Sequence, residues 1–204
     1  RDRDVTGVQT CALPIFVPFA PGGPTSNVAR LIGQRLTEVW GQQFLVENRP
    51  GGSTIIASEQ LVKSAPDGYT IMLTSVDHTI IPQLMATPYD PVKDFAPIAA
   101  LSSSQMMLVV HPSLPASSVK ELIALAKSRP AQINYATAGS GTFSHLTSEM
   151  FNMLAGVTMQ NVSYKGAGPA IIDLIGGQVQ LYYGAPISID RKSTRLNSSH
   201  ITIS

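Results

Sequence analysis

Short runs of β-branched and aromatic residues alternate along the chain with longer segments in which apolar residues recur at helical spacing. The first runs cover residues 16–19, 44–46 and 71–74, and helical patterns begin at Pro24 and Ser53. Strands that alternate with helical segments are typical of βαβ units, in which helices join parallel strands. The pattern therefore predicts an α/β fold with mainly parallel sheets.

A second block of the same kind follows residues 95–97. Its predicted elements are a strand at 106–110, a helix from Ser118, a strand at 133–136, a helix from Thr142, a strand at 160–163, a helix from Ala167 and a strand at 179–183. Small polar residues interrupt the pattern at 99–104, where we place a domain crossing. The sequence thus predicts a first α/β lobe over residues 16–100 and a second over 101–189.

The first predicted helix has an apolar face that indicates how it packs. The residues of this face recur at helical spacing: Val28, Leu31, Ile32, Arg35, Leu36 and Val39. We expect this face to cover a sheet. Pro24 suits the first turn of the helix and Gly41 suits its end, and we expect Trp40 to pack under that end.

Two further signals set helix boundaries in the second lobe. The segment from Ser118 to Glu121 matches a capping box, in which each side chain accepts a hydrogen bond from the backbone N–H of the other residue. The adjacent Gly176 and Gly177 predict the end of the last helix.

Both ends of the chain depart from the pattern of the middle. Residues 7–15 can be back-translated into a common sequencing-adapter string, and residues 190–200 into its reverse complement. We therefore expect residues 1–15 and 190–204 to be non-native tails and exclude them from fold reasoning. The native segment is then 16–189, and we expect its fold to be incomplete at both ends.

Composition excludes several classes of protein. The chain carries 14 basic and 13 acidic residues, and removing the two tails leaves nine against ten. Without a basic excess, the electrostatic footprint of a nucleic-acid-binding protein is missing. Cys11 is the single cysteine and falls in a tail, so neither disulfides nor cysteine-based zinc sites are predicted. No cofactor or metal is expected.

Two glycine-rich strand-to-helix crossings are the candidate binding elements. The first comprises Phe19, Ala20, Pro21, Gly22, Gly23, Pro24, Thr25 and Ser26, and the second runs through Ala138, Gly139, Ser140, Gly141 and Thr142 to Ser144. Unpaired N–H groups and the macrodipole at a helix start can hold a carboxylate or phosphate without Lys or Arg. Two such sites in separate lobes suggest a clamp, although each loop alone could be a tight turn.

Nucleotide binding is poorly supported, because Ser144 stands where a dinucleotide fingerprint needs its third glycine. An α/β serine hydrolase is the alternative, with Ser140 or Ser144 as nucleophile beside His145 and Asp77. A hydroxyl near a helix start is more often a cap, and the chain has no G-x-S-x-G segment. Such an enzyme would need Ser and His within hydrogen-bond reach.

Asp77 and His78 follow a predicted strand and could form a catalytic or metal pair. Two residues are too few for a metal site. Lys165 could attract an anionic ligand, but an exposed Lys is usually solvated.

Several motifs in order along residues 16–189 together resemble one family. They are FVPFAPGGPTSNVAR, ENRPGG, APDGYT, PYDPVKDFAPI, HPSLPASSVKELIALAK, INYATAGSGTFSHL and VSYKGAGPAIIDLIGGQVQL. The chain is similar to the Bug family, the periplasmic solute receptors of tripartite tricarboxylate transporters.

The resemblance implies a two-domain periplasmic-binding-protein (Venus flytrap) fold and a binding function without catalysis. It implies a periplasmic receptor that closes on a small carboxylate and presents it to membrane-embedded permease subunits. The ligand-binding residues it implies are Phe19, Ala20, Gly22, Gly23, Pro24, Thr25 and Ser26, then Ser75, Val76 and His78, and finally Ala138, Gly139, Ser140, Gly141 and Thr142.

The chain also departs from the family pattern. The family commonly has Asp where Ser26 stands, glycine-rich sequence at Ser53 and Thr54, and an acidic residue near residues 182–184. Without an Asp at position 26, the ammonium group of an amino-acid ligand would lose a charged partner. We therefore expect a carboxylate ligand without an amino group.

Overall fold

The computed structural model describes residues 12–186. The first lobe contains β1 (Leu13–Val17), α1 (Pro24–Trp40), β2 (Phe44–Asn48), a 3-10 turn (Gly52–Thr54), α2 (Ile55–Val62), β3 (Ile71–Met72) and α3 (Asp77–Leu84). The second lobe contains β4 (Met107–Val110), α4 (Val119–Ser128), β5 (Asn134–Thr137), α5 (Phe143–Ala155), β6 (Gln160–Ser163), α6 (Ala167–Ile175) and β7 (Leu181–Gly184).

Each lobe is built around its own sheet. In the first lobe the strand order is β2-β1-β3, and both neighbours run parallel to β1. In the second lobe the order is β4-β7-β5-β6, with parallel pairs except for the antiparallel β4 and β7. The prediction of an α/β fold with mainly parallel sheets is confirmed. The lobe boundaries at 16–100 and 101–189 stay a prediction.

The first strand begins earlier than the sequence pattern indicates. β1 starts at Leu13, inside the segment that we expected to be a tail, and Ile15 is buried in the core of the first lobe. Pro14 is tolerated because β3 pairs with β1 only at Ile15 and Phe16, so the missing N–H of Pro14 leaves no bond to β3 unmade. The other residues predicted as tails, 1–11 and 190–204, lie outside the described residues.

The orientation predicted for α1 is wrong. The helix buries Ser26, Ala29 and Gly33, whereas Leu31 is 70% exposed and Val39 is 63% exposed. The cause is the short distance between helix and sheet, since a Cβ on Gly33 would lie 3.3 Å from Cδ1 of Ile15. Small residues are required where the helix meets the sheet; of the predicted face, Val28, Ile32 and Leu36 are half-buried and the other three residues are exposed.

Both predicted ends of α1 are confirmed. Pro24 begins the helix, and Gly41 follows it with φ of 66°, a left-handed conformation that suits glycine. Trp40, which we expected to pack under the helix end, is 62% exposed and contacts Phe44 with ring centroids 5.6 Å apart.

The core is larger in the second lobe than in the first. Apolar clusters lie on both faces of its sheet, one around Leu122 and Tyr135 and the other around Ala170 and Ile171. The first lobe has a smaller cluster around Ile15. None of the helices within residues 12–186 is long and apolar enough to cross a bilayer.

Only one of the two hydrogen bonds predicted for the capping box at the start of α4 is present among the described residues. Ser118 Oγ accepts a hydrogen bond from the Glu121 N–H at 3.2 Å, as predicted. The Glu121 carboxylate instead accepts from the N–H and hydroxyl of Ser117, at 2.7 and 2.8 Å. These two bonds lower the pKa of Glu121, the backbone bond more strongly.

We expect Ser118→Ala to lower the free energy of unfolding by about 1 kcal/mol, because it removes the acceptor for the Glu121 N–H. Urea unfolding followed by circular dichroism measures this loss. Ser104→Ala is the matched control, because that hydroxyl is exposed and donates only to the neighbouring carbonyl of Gln105. Equal stability of the two variants would contradict a capping role for Ser118.

Candidate functional site

A cavity of about 220 Å³ lies between the two lobes. It opens where four strands, β1, β2, β5 and β6, reach their carboxyl ends. Its lining residues are Pro18, Phe19, Gly51, Gly52, Ser53, Thr54, Ala138, Gly139, Ser140, Ser163, Tyr164 and Lys165. Open α/β sheets bind ligands at this end of their strands.

Residues of both lobes in the lining of this cavity have backbone N–H groups without an acceptor in the described part of the chain. Among the described residues, nothing accepts a hydrogen bond from the N–H groups of Gly52, Ser53, Gly139 or Ser140. Successive free N–H groups in a turn carry partial positive charge and form a concave site for anions. Lys165 is the charged residue in this lining and is exposed. The cavity therefore has a positive character.

The segment before α2 is strained. We predicted a helix from Ser53, but the α-helix begins at Ile55, because Ser53 and Thr54 have φ of 50° and 92°. Positive φ is uncommon for residues other than glycine and is an outlier for a β-branched residue such as Thr54. Both strained residues line the cavity. Strained backbone conformations are often found at functional sites.

Direct contacts join the lobes around the cavity. The Ala20 N–H donates to the Lys165 carbonyl at 2.8 Å. The hydroxyl of Ser53 donates to the Ser140 carbonyl at 2.7 Å. A Cβ on Gly168, in α6, would lie only 2.2 Å from the Pro21 carbonyl oxygen. The structure thus shows the two lobes closed on each other.

Four of the residues expected to bind ligand line the cavity. They are Phe19, Ala138, Gly139 and Ser140. The remaining expected residues lie outside this lining, in three groups.

The first group belongs to the crossing before α1. Ala20 bonds to Lys165, and a Cβ on Gly22 or Gly23 would contact Gly168 or Ala167 at the start of α6. Pro24, Thr25 and Ser26 form the first turn of α1. This crossing therefore serves as a contact surface between the lobes.

The hydroxyl of Ser26 is fully buried, and Ser26 is not part of the cavity lining. It donates to Oδ1 of Asn48 at 3.3 Å, and Nδ2 of Asn48 donates to the Phe19 carbonyl at 2.8 Å. The side chain at position 26 thus holds the backbone of Phe19 through Asn48. The expected preference for ligands without an amino group stays a prediction.

The second group surrounds the start of α3. The hydroxyl of Ser75 donates to Asp77 at 2.6 Å, and Val76 is 51% exposed. His78 is buried between the rings of Tyr89 and Phe95. Burial lowers the pKa of His78, so its ring is neutral at neutral pH. This ring supports the first lobe.

The third group is the remainder of the crossing before α5. The Gly141 N–H donates to Nδ1 of His145 at 3.0 Å, and the hydroxyl of Thr142 donates to the Gly139 carbonyl at 2.6 Å. Both groups are therefore used within the loop and help to shape it.

The sequence reasoning did not assign the lining residues that follow β2 and β6 to the ligand site, although it considered Lys165 as a group that could attract an anion. They are Gly51, Gly52, Ser53 and Thr54 after β2, and Ser163, Tyr164 and Lys165 after β6, while Pro18 precedes the first crossing. A usable signal was present, because parallel strands end at a common edge and these residues follow two of the predicted strands.

The hydroxyl of Tyr164 is already engaged. It donates to Oδ2 of Asp173 at 2.7 Å, and burial followed by this bond raises the pKa of Tyr164 to about 12. Tyr164 is therefore neutral and does not add negative charge to the cavity.

The geometry does not support the serine hydrolase alternative. Ser144 Oγ accepts from the Ala138 N–H at 3.0 Å, so this hydroxyl is engaged within the loop. Nδ1 of His145 is occupied by Gly141, and Ser140 Oγ is 3.4 Å from Ser163 Oγ. Within residues 12–186, His145 makes no hydrogen bond with Ser140 or Ser144, so the catalytic arrangement is not assembled.

The proposed Asp77 and His78 pair is not assembled either. Asp77 bonds to Ser75 and Phe143, whereas His78 bonds to the Pro91 carbonyl at 3.2 Å and contacts Ser58 Oγ at 3.5 Å. In the described part of the chain, no group of three His, Cys, Asp or Glu residues could hold a metal ion.

The family model for the tripartite tricarboxylate transporter family receptor (TctC) matches residues 28–194. The chain belongs to this receptor family. BugT of Bordetella pertussis is 35% identical over 173 residues, which cover 82% of this chain and 52% of BugT. The chain thus spans about half the length of the curated relatives it matches.

Solved structures of receptors share this fold. MatC from Rhodopseudomonas palustris, with bound malate, is 30% identical with a TM-score of 0.82, over 90% of this chain and 63% of MatC. Rpa4515 from R. palustris, with adipate, is 34% identical with a TM-score of 0.87, over 90% of this chain and 62% of that protein. The expected periplasmic-binding-protein fold is confirmed.

Proposed function

We propose that this receptor-family protein captures a small organic carboxylate in the periplasm and delivers it to the membrane-embedded permease of a tripartite tricarboxylate transporter. The observation that carries the proposal is the set of free backbone N–H groups, from Gly52, Ser53, Gly139 and Ser140, in the lining of one interlobe cavity. Their partial charges, together with Lys165, favour an anion.

The size of the cavity limits the ligand. A volume of about 220 Å³ holds roughly seven water-sized groups, which suits a small organic acid. Donors from both lobes border the cavity, so a dicarboxylate could place one carboxylate against each lobe. Malate and adipate, bound in the two R. palustris relatives, are both dicarboxylates.

The chemistry of the site supports binding without turnover. The free polar groups around the cavity are mainly backbone donors, which stabilise a bound anion but do not transfer protons. Among the described lining residues there is no Asp, Glu, His or Cys to act as a base or nucleophile. The proposal that the ligand is delivered to a permease is supported by membership of the receptor family.

We expect isothermal titration with a panel of organic acids to detect binding of at least one dicarboxylate, with uncharged analogues such as diamides inert. The physical reason is that the backbone N–H groups and Lys165 interact more favourably with a negatively charged ligand than with a neutral one. Lys165→Met should weaken binding by about tenfold, as expected for loss of one charge-assisted hydrogen bond. The ligand should be recovered unchanged by NMR after prolonged incubation.

Lys127→Met is the matched control, because this exposed Lys lies in the last turn of α4 and outside the cavity lining. Its affinity should equal that of the unmodified protein. Tight binding of the diamides together with no binding of any acid would overturn the proposed function, as would conversion of the ligand.

A further inference from the structure

One carboxylate of the first lobe caps a helix of the second lobe. Oδ1 of Asp77, the first residue of α3, accepts a hydrogen bond from the N–H of Phe143, the first residue of α5, at 2.5 Å. Thr142 stands at the N-cap position but makes no side-chain cap bond. Asp77 therefore performs from the other lobe the role that an N-cap side chain usually performs locally.

The carboxylate is buried with few partners. Asp77 is 6% exposed, and its other oxygen accepts from the hydroxyl of Ser75 at 2.6 Å. Across residues 12–186, no Lys, Arg or His forms an ion pair with it. Burial raises the pKa of Asp77, and the bonds from Ser75 and Phe143 oppose this rise only in part.

Other titratable groups on the surrounding elements are directed to other partners. On α3, His78 bonds to the Pro91 carbonyl. On α5, His145 accepts from Gly141 and approaches Glu149 at 3.8 Å. On β7, Tyr182 is buried and interacts with the charge of Asp77, which together with burial raises the pKa of Tyr182. The charge of Asp77 is thus balanced mainly by neutral donors.

The capped helix start is continuous with the cavity. The loop before α5 is held on one side by Asp77 and on the other by the hydroxyl of Ser53, which bonds to Ser140. Between them, a Cβ on Gly141 would lie 3.1 Å from Ile81, so α3 also packs on this loop. The first lobe therefore positions the free N–H groups of Gly139 and Ser140.

We propose that Asp77 is a positioning residue whose buried carboxylate makes closure of the two lobes, and with it ligand affinity, dependent on protonation. The part that concerns ligand affinity rests on the proposed function. Closure itself can be measured without a ligand.

The direction of the pH effect follows from burial. When the lobes separate, Asp77 returns toward water and its ordinary pKa, so its raised pKa belongs to the closed form. Closure is then coupled to proton uptake between the ordinary value of 3.8 and the raised value. Lowering the pH through this interval favours the closed form, whereas above it the ionised carboxylate disfavours closure.

A distance measurement between spin labels tests this inference. One label is placed on α1 at Gln34→Cys and the other on α5 at Met153→Cys, both exposed positions, with Cys11→Ser removing the single cysteine of the chain. Double electron–electron resonance at pH 7 and pH 4.5 then gives the fraction of closed molecules. The same measurement is made on Asp77→Asn, Asp77→Ala and Asp67→Asn in the labelled protein.

We expect the closed fraction of the unmodified protein to be higher at pH 4.5 than at pH 7, because the raised pKa of Asp77 couples closure to proton uptake. Asp77→Asn keeps an acceptor for Phe143 without a charge, so it should be as closed at pH 7 as the unmodified protein is at pH 4.5, with no pH dependence. Asp77→Ala should be less closed than Asp77→Asn at both pH values, because the Phe143 N–H loses its partner.

Asp67→Asn makes the same chemical change at an exposed carboxylate that bonds only to the Tyr69 N–H, so it should retain the pH response. An Asp77→Asn variant that keeps the response of the unmodified protein would overturn the inference. Measuring the malate affinity of the same variants at both pH values separates the two proposals. Protonation of malate itself affects all variants equally, so a difference between variants reports on the protein. A pH-dependent closure without binding of any acid would refute only the proposed function.

Discussion

Gly168→Ala should weaken carboxylate binding by at least about 100-fold, roughly 2.7 kcal/mol. The added Cβ would lie 2.2 Å from the carbonyl oxygen of Pro21, a distance that no pair of such atoms tolerates. The Cβ is attached directly to Cα and the oxygen belongs to the backbone, so neither atom can move aside as the end of a flexible side chain would. The lobes would have to separate at this point, and the cavity between them would open.

The fold of α6 should survive this substitution. Gly168 is the second residue of α6, and alanine is a better helix former than glycine. A loss of binding with unchanged far-ultraviolet circular dichroism would therefore report on closure. Titration calorimetry with the tightest-binding acid of the panel measures the loss.

Gly176→Ala is the matched control, because it makes the same change at the end of α6. Its φ is −76°, and the nearest atom to an added Cβ is the Ile172 carbonyl oxygen at 3.5 Å, an ordinary contact. Its affinity should remain within twofold of the unmodified protein. An equal loss in both variants would mean that the contact between Pro21 and Gly168 does not control binding.

The importance of this contact changes how the first glycine-rich crossing is understood. The sequence presents residues 19–26 as an anion-binding helix start, and Phe19 does line the cavity. The remaining backbone around Gly22 and Gly23 lies against the start of α6 instead. A Cβ on Gly22 or Gly23 would make only ordinary contacts there, at 3.8 and 3.4 Å, so the close approach of the lobes depends on the glycine at position 168.

Local sequence signals predicted the elements that depend on few residues. The strand of residues 160–163 and the helix that begins at Ala167 lie where the pattern indicates. The cap at Ser118 and the left-handed Gly41 also follow from residue type and position alone. For the two helix ends the determining contact lies within a few residues along the chain, whereas the strand at 160–163 is recognised from its residue types and pairs with β5, 26 positions earlier.

The parts of the site that were missed depend on residues far apart in the sequence. Asp77 and Phe143 are separated by 66 positions, and no local pattern indicates that one would cap the helix of the other. The hydrogen bond from Ser53 to Ser140 spans 87 positions. Such pairs are set by how the lobes meet, which periodicity and residue propensity do not describe.

Substitutions in α1 should have a second large effect, on the free energy of unfolding. For these substitutions the structure and the hydrophobic pattern of the sequence predict opposite results. Ala29 is fully buried and packs against Ile15 and Val17, whereas Leu31 is 70% exposed. Ala29→Leu should lower the free energy of unfolding by about 1–3 kcal/mol, because extra atoms must enter a closely packed interface.

Leu31→Ser is the matched comparison on the exposed side of the helix and should change the free energy of unfolding by no more than about 0.5 kcal/mol. Urea unfolding of both variants, followed by circular dichroism, gives the two values. If the apolar face of α1 covered the sheet, Leu31→Ser would be the costly change and Ala29→Leu the tolerated one. The difference between the two variants therefore decides which face of α1 lies on the sheet, and with it whether helix and sheet approach closely enough to require Gly33.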